Sequence, residues 1–136
     1  MITENMWINN TILVVEDEDV NFQLIKYCLK KTGANLKWAK NGKESLYLLN
    51  KYNDIDLVLM DIRMPLMDGI KATKKIRQNK MDLPVIMHSS FENDYHYDNE
   101  IETLFSDFVP KPFKREFLIN TIAKYIENNK LKNKSA

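Results

Sequence analysis

Glu16 and Asp17 directly follow the apolar run Thr11-Ile12-Leu13-Val14-Val15, and Asp61 directly follows Leu57-Val58-Leu59-Met60. Ser89 and Ser90 come just after Val85-Ile86-Met87, and Lys111 just after Phe108-Val109. Brought together, three ionised carboxylates and one ammonium leave a charge of about −2 in a small volume. Carboxylates that close raise one another's pKa, and a bound divalent cation removes the conflict. All the ligands on offer are oxygens, which suits Mg2+ and not the soft metals. Mg2+ keeps several waters and usually shares phosphoryl oxygens with its ligand. Carboxylates, a hydroxyl and an ammonium around such an ion favour phosphoryl transfer, which depends mainly on positioning and charge neutralisation. Asp61 is then the candidate nucleophile, forming an aspartyl phosphate.

Taken singly, each residue has an ordinary structural reading. An acidic pair after a strand is usually solvated or caps the next helix. Asp61 before Ile62-Arg63-Met64-Pro65 suits a turn, Ser89 a satisfied strand-end hydroxyl, and Lys111 an exposed position. What favours chemistry is their convergence on one edge of one sheet.

The elements that must bring them together are legible in the apolar pattern. Short apolar runs that do not alternate suit strands buried on both faces, as in a parallel sheet. Thr11–Val15, Leu57–Met60 and Val85–Met87 are such runs, and Leu36–Ala39 and Phe108-Val109 are weaker ones. Helical periodicity fills the gaps. Val20, Leu24, Cys28 and Leu29 line one face before Gly33 stops the helix. Leu46 and Leu49 follow the Asn41-Gly42 turn, and Ile70, Thr73 and Ile76 or Arg77 mark a third helix. Phe91–Leu104 is a poorly patterned fourth helix, and Phe117, Leu118, Ile122 and Ile126 mark the last. Strand and helix alternating five times predict an α/β fold, a doubly wound five-stranded parallel sheet covered on both faces. In the flavodoxin-like order 2-1-3-4-5 the winding reverses between strands 1 and 3, and the crevice at their carboxyl ends is the expected site.

Composition narrows the function by exclusion. The 136 residues suit one domain, spanning 11–128, with a lead-in over 1–10 and a polar tail over 129–136. Met6, Trp7 and Ile8 of the lead-in either pack on the domain edge or belong to a linker. Lys+Arg is 20 and Asp+Glu is 19, a balance that speaks against direct nucleic-acid or membrane-surface binding. No apolar run is long enough to span a bilayer, and the N-terminus lacks a secretory pattern. A single cysteine, Cys28, precludes an internal disulfide and fits a reducing cytoplasm.

Four segments then carry a family resemblance. They are Ile12-Leu13-Val14-Val15-Glu16-Asp17, the long stretch Asp56–Gly69 containing Met60-Asp61-Ile62-Arg63-Met64-Pro65, Pro84–Ser89, and Phe108-Val109-Pro110-Lys111-Pro112-Phe113. Together they resemble the receiver domain of response regulators in two-component signalling. The resemblance implies that Asp61 is the phosphoacceptor. Asp17 and Asp61 would bind Mg2+ with the backbone carbonyl of Arg63, and Glu16 would act through a metal-bound water. Ser89 would follow the phosphoryl group, Lys111 would pair with it, and Phe108 would be the aromatic switch. Lys111-Pro112 is similar to a peptide bond that is cis in the family. Departures are Glu16 where Asp is frequent, Ser89 where Thr is usual, Ser90 where a small residue such as Ala is usual, and no glycine in Thr103–Asp107.

The implied partners are a sensor histidine kinase or histidine phosphotransfer domain, and an unidentified downstream protein. The chain itself is expected to be a monomer or weak homodimer, and no enzyme beyond weak self-phosphorylation and self-dephosphorylation. Phosphorylation would shift the surface of the fourth helix, fifth strand and fifth helix. Two competing classes are a pseudo-receiver that docks without phosphorylation and an aspartate-nucleophile phosphatase. The complete set of acids, hydroxyl and lysine argues against the first. Arg63, standing where the second class carries its general acid, argues against the other. Both a single-domain regulator and the receiver part of a hybrid histidine kinase fit the sequence.

Overall fold

The computed structural model describes residues 4–62, 68–90 and 99–134, with side chains as far as Ile126 in the last helix. Aliphatic runs whose two faces are both covered form the strands. The first, β1 (Thr11–Val15), is buried along its whole length. It is followed by α1 (Asp19–Leu29), β2 (Asn35–Ala39), α2 (Gly42–Lys51), β3 (Ile55–Asp61), α3 (Gly69–Asn79), β4 (Val85–Ser90), α4 (Asn99–Leu104), β5 (Asp107–Lys111) and α5 (Arg115–Lys134). All strand pairs are parallel and the order is β2-β1-β3-β4-β5, the doubly wound arrangement expected from the alternation.

Successive residues of each strand serve opposite cores. Ile12, Val14, Leu57, Leu59 and Ile86 join Phe22, Ile25, Leu118 and Ile122 on the α1 and α5 side. Leu13, Val15, Val58, Met60 and Met87 join Leu49, Ala72, Ile76 and Ile101 on the α2, α3 and α4 side. Local chemistry sets the helix starts. Asn41 accepts from the Glu44 amide at 2.8 Å and Asp68 from the Lys71 amide at 2.9 Å, each capping the helix that follows. Arg77 ties the end of α3 to α4, donating from Nε to the Leu104 carbonyl at 2.8 Å and from a terminal nitrogen to the Leu83 carbonyl at 2.6 Å.

Two helical faces differ from the periodicity reading. In α1 the buried residues are Phe22, Ile25, Cys28 and Leu29, whereas Val20 is 76% and Leu24 49% exposed. Phe22 stacks flat on Trp38 of β2, with ring centroids 4.2 Å apart, a contact made with α1 oriented so that Val20 and Leu24 face outward. In α5, Leu118, Ile119, Ile122 and Ile126 pack inward and Phe117 is half-exposed. Ser89, Ser90 and Lys111 also lie within their strands rather than after them. The backbone of α5 continues to Lys134, so most of the polar stretch over 129–136 prolongs the last helix. Of Phe91–Leu104, the described part is helical from Asn99.

The lead-in packs on the domain. Trp7 is 1% exposed and belongs to the α1–α5 core, with Met6 against it. The Asn5 and Trp7 amides donate to the Lys31 and Thr32 carbonyls at 2.8 Å. Gly33, with φ of 76°, passes so close to Asn5 that a side chain there would meet it. Trp7→Ala should therefore destabilise the domain by about 3–5 kcal/mol, the cost of deleting a buried aromatic. Urea unfolding of the variant against the wild type measures it.

Candidate functional site

Parallel strands end together, so the last residues of β1, β3, β4 and β5 share one rim of the sheet. Glu16 continues β1, Asp61 ends β3, Ser89 is the penultimate residue of β4, and Lys111 ends β5. Carboxylate oxygens of Glu16, Asp17 and Asp61 lie within 4.8 Å of one another. Glu16 and Asp61 are buried and Asp17 is exposed, so the cluster opens to solvent on one side. Lys111 crosses from β5, its Nζ 3.0 Å from Glu16 Oε1 and 3.5 Å from Asp61 Oδ2. The Lys111-Pro112 bond is cis, as the resemblance implied. Ser89 is buried on the same rim. Gly69, the first residue of α3, packs so tightly under Asp61 that a Cβ there would collide with the Asp61 carbonyl. The glycine after Asp68 thus lets α3 start directly beneath the acidic cluster.

Electrostatics show the strain of this grouping. Burial raises the Glu16 carboxyl above its ordinary pKa, Asp61 raises it further, and Lys111 opposes both. Asp17 is raised by desolvation and by neighbouring Glu16. One ammonium does not neutralise three carboxylates. Oxygen donors clustered with one face open are what a hard cation such as Mg2+ requires. The oxygen-only donor set of Glu16, Asp17 and Asp61 therefore fits that ion. Arg63, whose carbonyl was expected to complete the set, lies outside the described residues, as does the first part of Phe91–Leu104.

The rim thus unites Glu16, Asp17, Asp61, Ser89 and Lys111. Phe108 stands apart, half-buried against the core on the α2–α4 side. The start of its strand is held by Tyr125 of α5. The Tyr125 hydroxyl lies 2.6 Å from the Ser106 carbonyl and 3.0 Å from Asp107 Oδ2. Burial, followed by the Asp107 carboxylate, pushes that hydroxyl up to about 12.

Two rim neighbours escape sequence reasoning. Trp38 donates its indole N–H to the Glu16 carbonyl at 2.7 Å, a contact across 22 positions that no local pattern announces. His88 of β4, paired in register with Asp61, is 1% exposed. Among the described residues neither ring nitrogen makes a well-formed hydrogen bond, and the Val15 backbone exerts only a weak pull on the ring. Its position in a strand predicts burial, but not that it would be left without a well-formed hydrogen bond.

Burial first, and then the Lys111 charge, press the His88 pKa down to about 3, against a weaker opposing pull from the Val15 backbone. Below pH ~6.5 the unfolded chain binds a proton that the folded chain refuses, so this residue makes stability fall as pH drops from ~6.5 towards 3. At pH 5 that loss is about 2 kcal/mol. Glu16 and Asp17, raised in the folded state, act in the opposite direction, so the comparison is between variants. His88→Leu should lose less thermal stability than the wild type between pH 7 and pH 5. Equal losses in melting scans would contradict this.

The response regulator receiver domain family matches residues 12–123. A hybrid signal transduction histidine kinase of Dictyostelium discoideum is 36% identical over 95% of this chain and 8% of that protein. The autoinducer 1 sensor kinase/phosphatase of Vibrio campbellii is 29% identical over 94% of this chain and 15% of its own length. The chain thus spans a small part of these curated relatives. Among solved structures, a Francisella response regulator receiver domain superposes with a TM-score of 0.79 at 29% identity, covering 89% of this chain and 99% of that one. The receiver domain of a Pseudomonas aeruginosa sensor histidine kinase, solved with magnesium in its active-site cleft, gives 0.79 at 28% identity, covering 88% and 98%. With the strand order, the acidic rim and the family match in agreement, this chain belongs to the response regulator receiver domains of two-component signalling.

Proposed function

We propose that Asp61 takes a phosphoryl group from a partner's phosphohistidine. An Asp61 carboxylate oxygen attacks phosphorus, the bond from phosphorus to the imidazole nitrogen breaks, and the nitrogen recovers its electron pair. The observation that carries this reading is the crowding of Glu16, Asp17 and Asp61 within 4.8 Å, with Lys111 at 3.0 and 3.5 Å from two of them. Bound Mg2+ supplies the charge that lets these carboxylates and the phosphoryl oxygens lie together. Asp17 and Asp61 would hold it, with Glu16 beside them. Lys111 pairs with a phosphoryl oxygen and Ser89 donates its hydroxyl to another.

Phosphorylation adds a charge of about −1.5 to −2 at the rim. Ser89 then moves towards the new oxygens and Phe108 turns inward behind it. The α4, β5 and α5 surface changes its affinity for a downstream protein, as a shift between existing conformations. The donor docks on α1. Its exposed apolar residues Val20, Leu24 and Tyr27 lie at helical spacing on a helix that begins two residues after Asp17. A macromolecular donor that brings its imidazole to Asp61 must cover this neighbouring ground.

Incubation with acetyl phosphate and Mg2+ should add one phosphoryl group to the wild type by intact mass, and none to Asp61→Asn. Equal labelling of both proteins, or labelling undiminished by a chelator, would overturn the assignment. Leu24→Asp should slow uptake from a phosphohistidine donor protein by roughly tenfold, a loss of about 1.4 kcal/mol. Uptake from acetyl phosphate should stay the same in that variant. Parallel time courses with the two donors separate docking from chemistry.

A further inference from the structure

We infer that Trp38 is a positioning residue for the cation-binding turn, acting through the peptide that joins Glu16 to Asp17. The inference rests on the phosphoacceptor reading. The Glu16 amide donates to the Ala39 carbonyl at 2.9 Å, and the Glu16 carbonyl accepts from Trp38 Nε1 at 2.7 Å. Both partners belong to β2, although Glu16 lies beyond the last paired residue of β1, Val15. The carbonyl is the one belonging to the Glu16–Asp17 peptide. Its orientation sets where the Asp17 Cα stands, and hence how the exposed Asp17 carboxylate meets buried Glu16 and Asp61.

The indole is itself held in place. It lies against Phe22 with the ring planes 1° apart, and the Lys40 ammonium sits 5.1 Å from its ring centroid. Phe22 is in the first turn of α1, just beyond the acidic pair. One side chain from the edge strand therefore braces both ends of the turn, its carbonyl by hydrogen bond and its helix by stacking. Without the indole N–H, that peptide is free to rotate, and ligand oxygens must be ordered at the moment the ion binds. This loss falls on cation affinity, while Asp61 and Lys111, held by β3 and β5, keep their places once the ion is bound.

Two tryptophans are present, Trp7 and Trp38, so Trp7→Phe isolates the emission of Trp38. In that background Mg2+ should change the emission, saturating at the affinity found by calorimetry. Trp38→Phe keeps a ring against Phe22 and removes the donor. It should weaken Mg2+ binding by roughly three- to tenfold, the effect of one lost hydrogen bond. Phosphoryl uptake from acetyl phosphate at saturating Mg2+ should remain within roughly twofold of the wild type, since the loss is confined to the turn. Wild-type affinity in Trp38→Phe overturns the inference, as does an uptake defect that saturating Mg2+ does not rescue. Should Trp38→Phe fail to fold, the emission of Trp38 decides, and no response to Mg2+ at concentrations that calorimetry shows to bind overturns it. A wild type that binds no Mg2+ at all would instead sink the phosphoacceptor reading.

Discussion

The constraint on which the rest depends is like charge held together at low hydration. Glu16 is fully buried and Asp61 nearly so, yet both carboxylates share a rim with Asp17, and Lys111 bridges the two buried ones. Left alone, such groups repel and resist ionisation, as the raised pKa of Glu16 reflects. The fold bears this cost because the strands that deliver the carboxylates are buried on both faces and cannot separate without exposing two cores. The crowded negative charge is what suits the rim to a hard cation.

Around that rim the supporting structure is graded. Close packing of Gly69 beneath Asp61 and the cap at Asp68 place α3 against the Asp61 end of β3. Trp38 and the Ala39 carbonyl fix the acidic turn from the edge strand. On the far side, Tyr125 and Asp107 hold the start of β5, and Arg77 holds the end of α4 through backbone carbonyls. The parts expected to move, around Ser89 and Phe108, thus lie between anchored ends. A conformational change there has defined pivots, which suits a shift between two arrangements.

How much of this was legible beforehand depended on the range of the interaction. The apolar runs Thr11–Val15 and Leu57–Met60 announced doubly buried strands, and the residues after them announced the acidic rim, because strand ends are local features. The faces of α1 and α5 were less legible. Val20 and Leu24 satisfy helical spacing as well as Phe22 and Ile25 do, and only the packed fold, with Phe22 stacked on Trp38, distinguishes them. Trp7 illustrates the same limit: the short apolar group Met6-Trp7-Ile8 suits a linker as well as a packed edge, and only the fold shows that Trp7 completes a core.

By itself, the order of residue types determined the alternation of strands and helices, the parallel sheet, and which carboxylates, hydroxyl and lysine would stand at its carboxyl edge. These follow from hydrophobic period and chain direction, which are written along the chain. Tertiary structure alone decided that Lys111 reaches Glu16 more closely than Asp61, that Trp38 grips the Glu16 carbonyl, and that His88 is sealed in without a well-formed hydrogen bond among the described residues. Those outcomes turn on distances between segments far apart in the chain, and such distances exist only once the cores have packed.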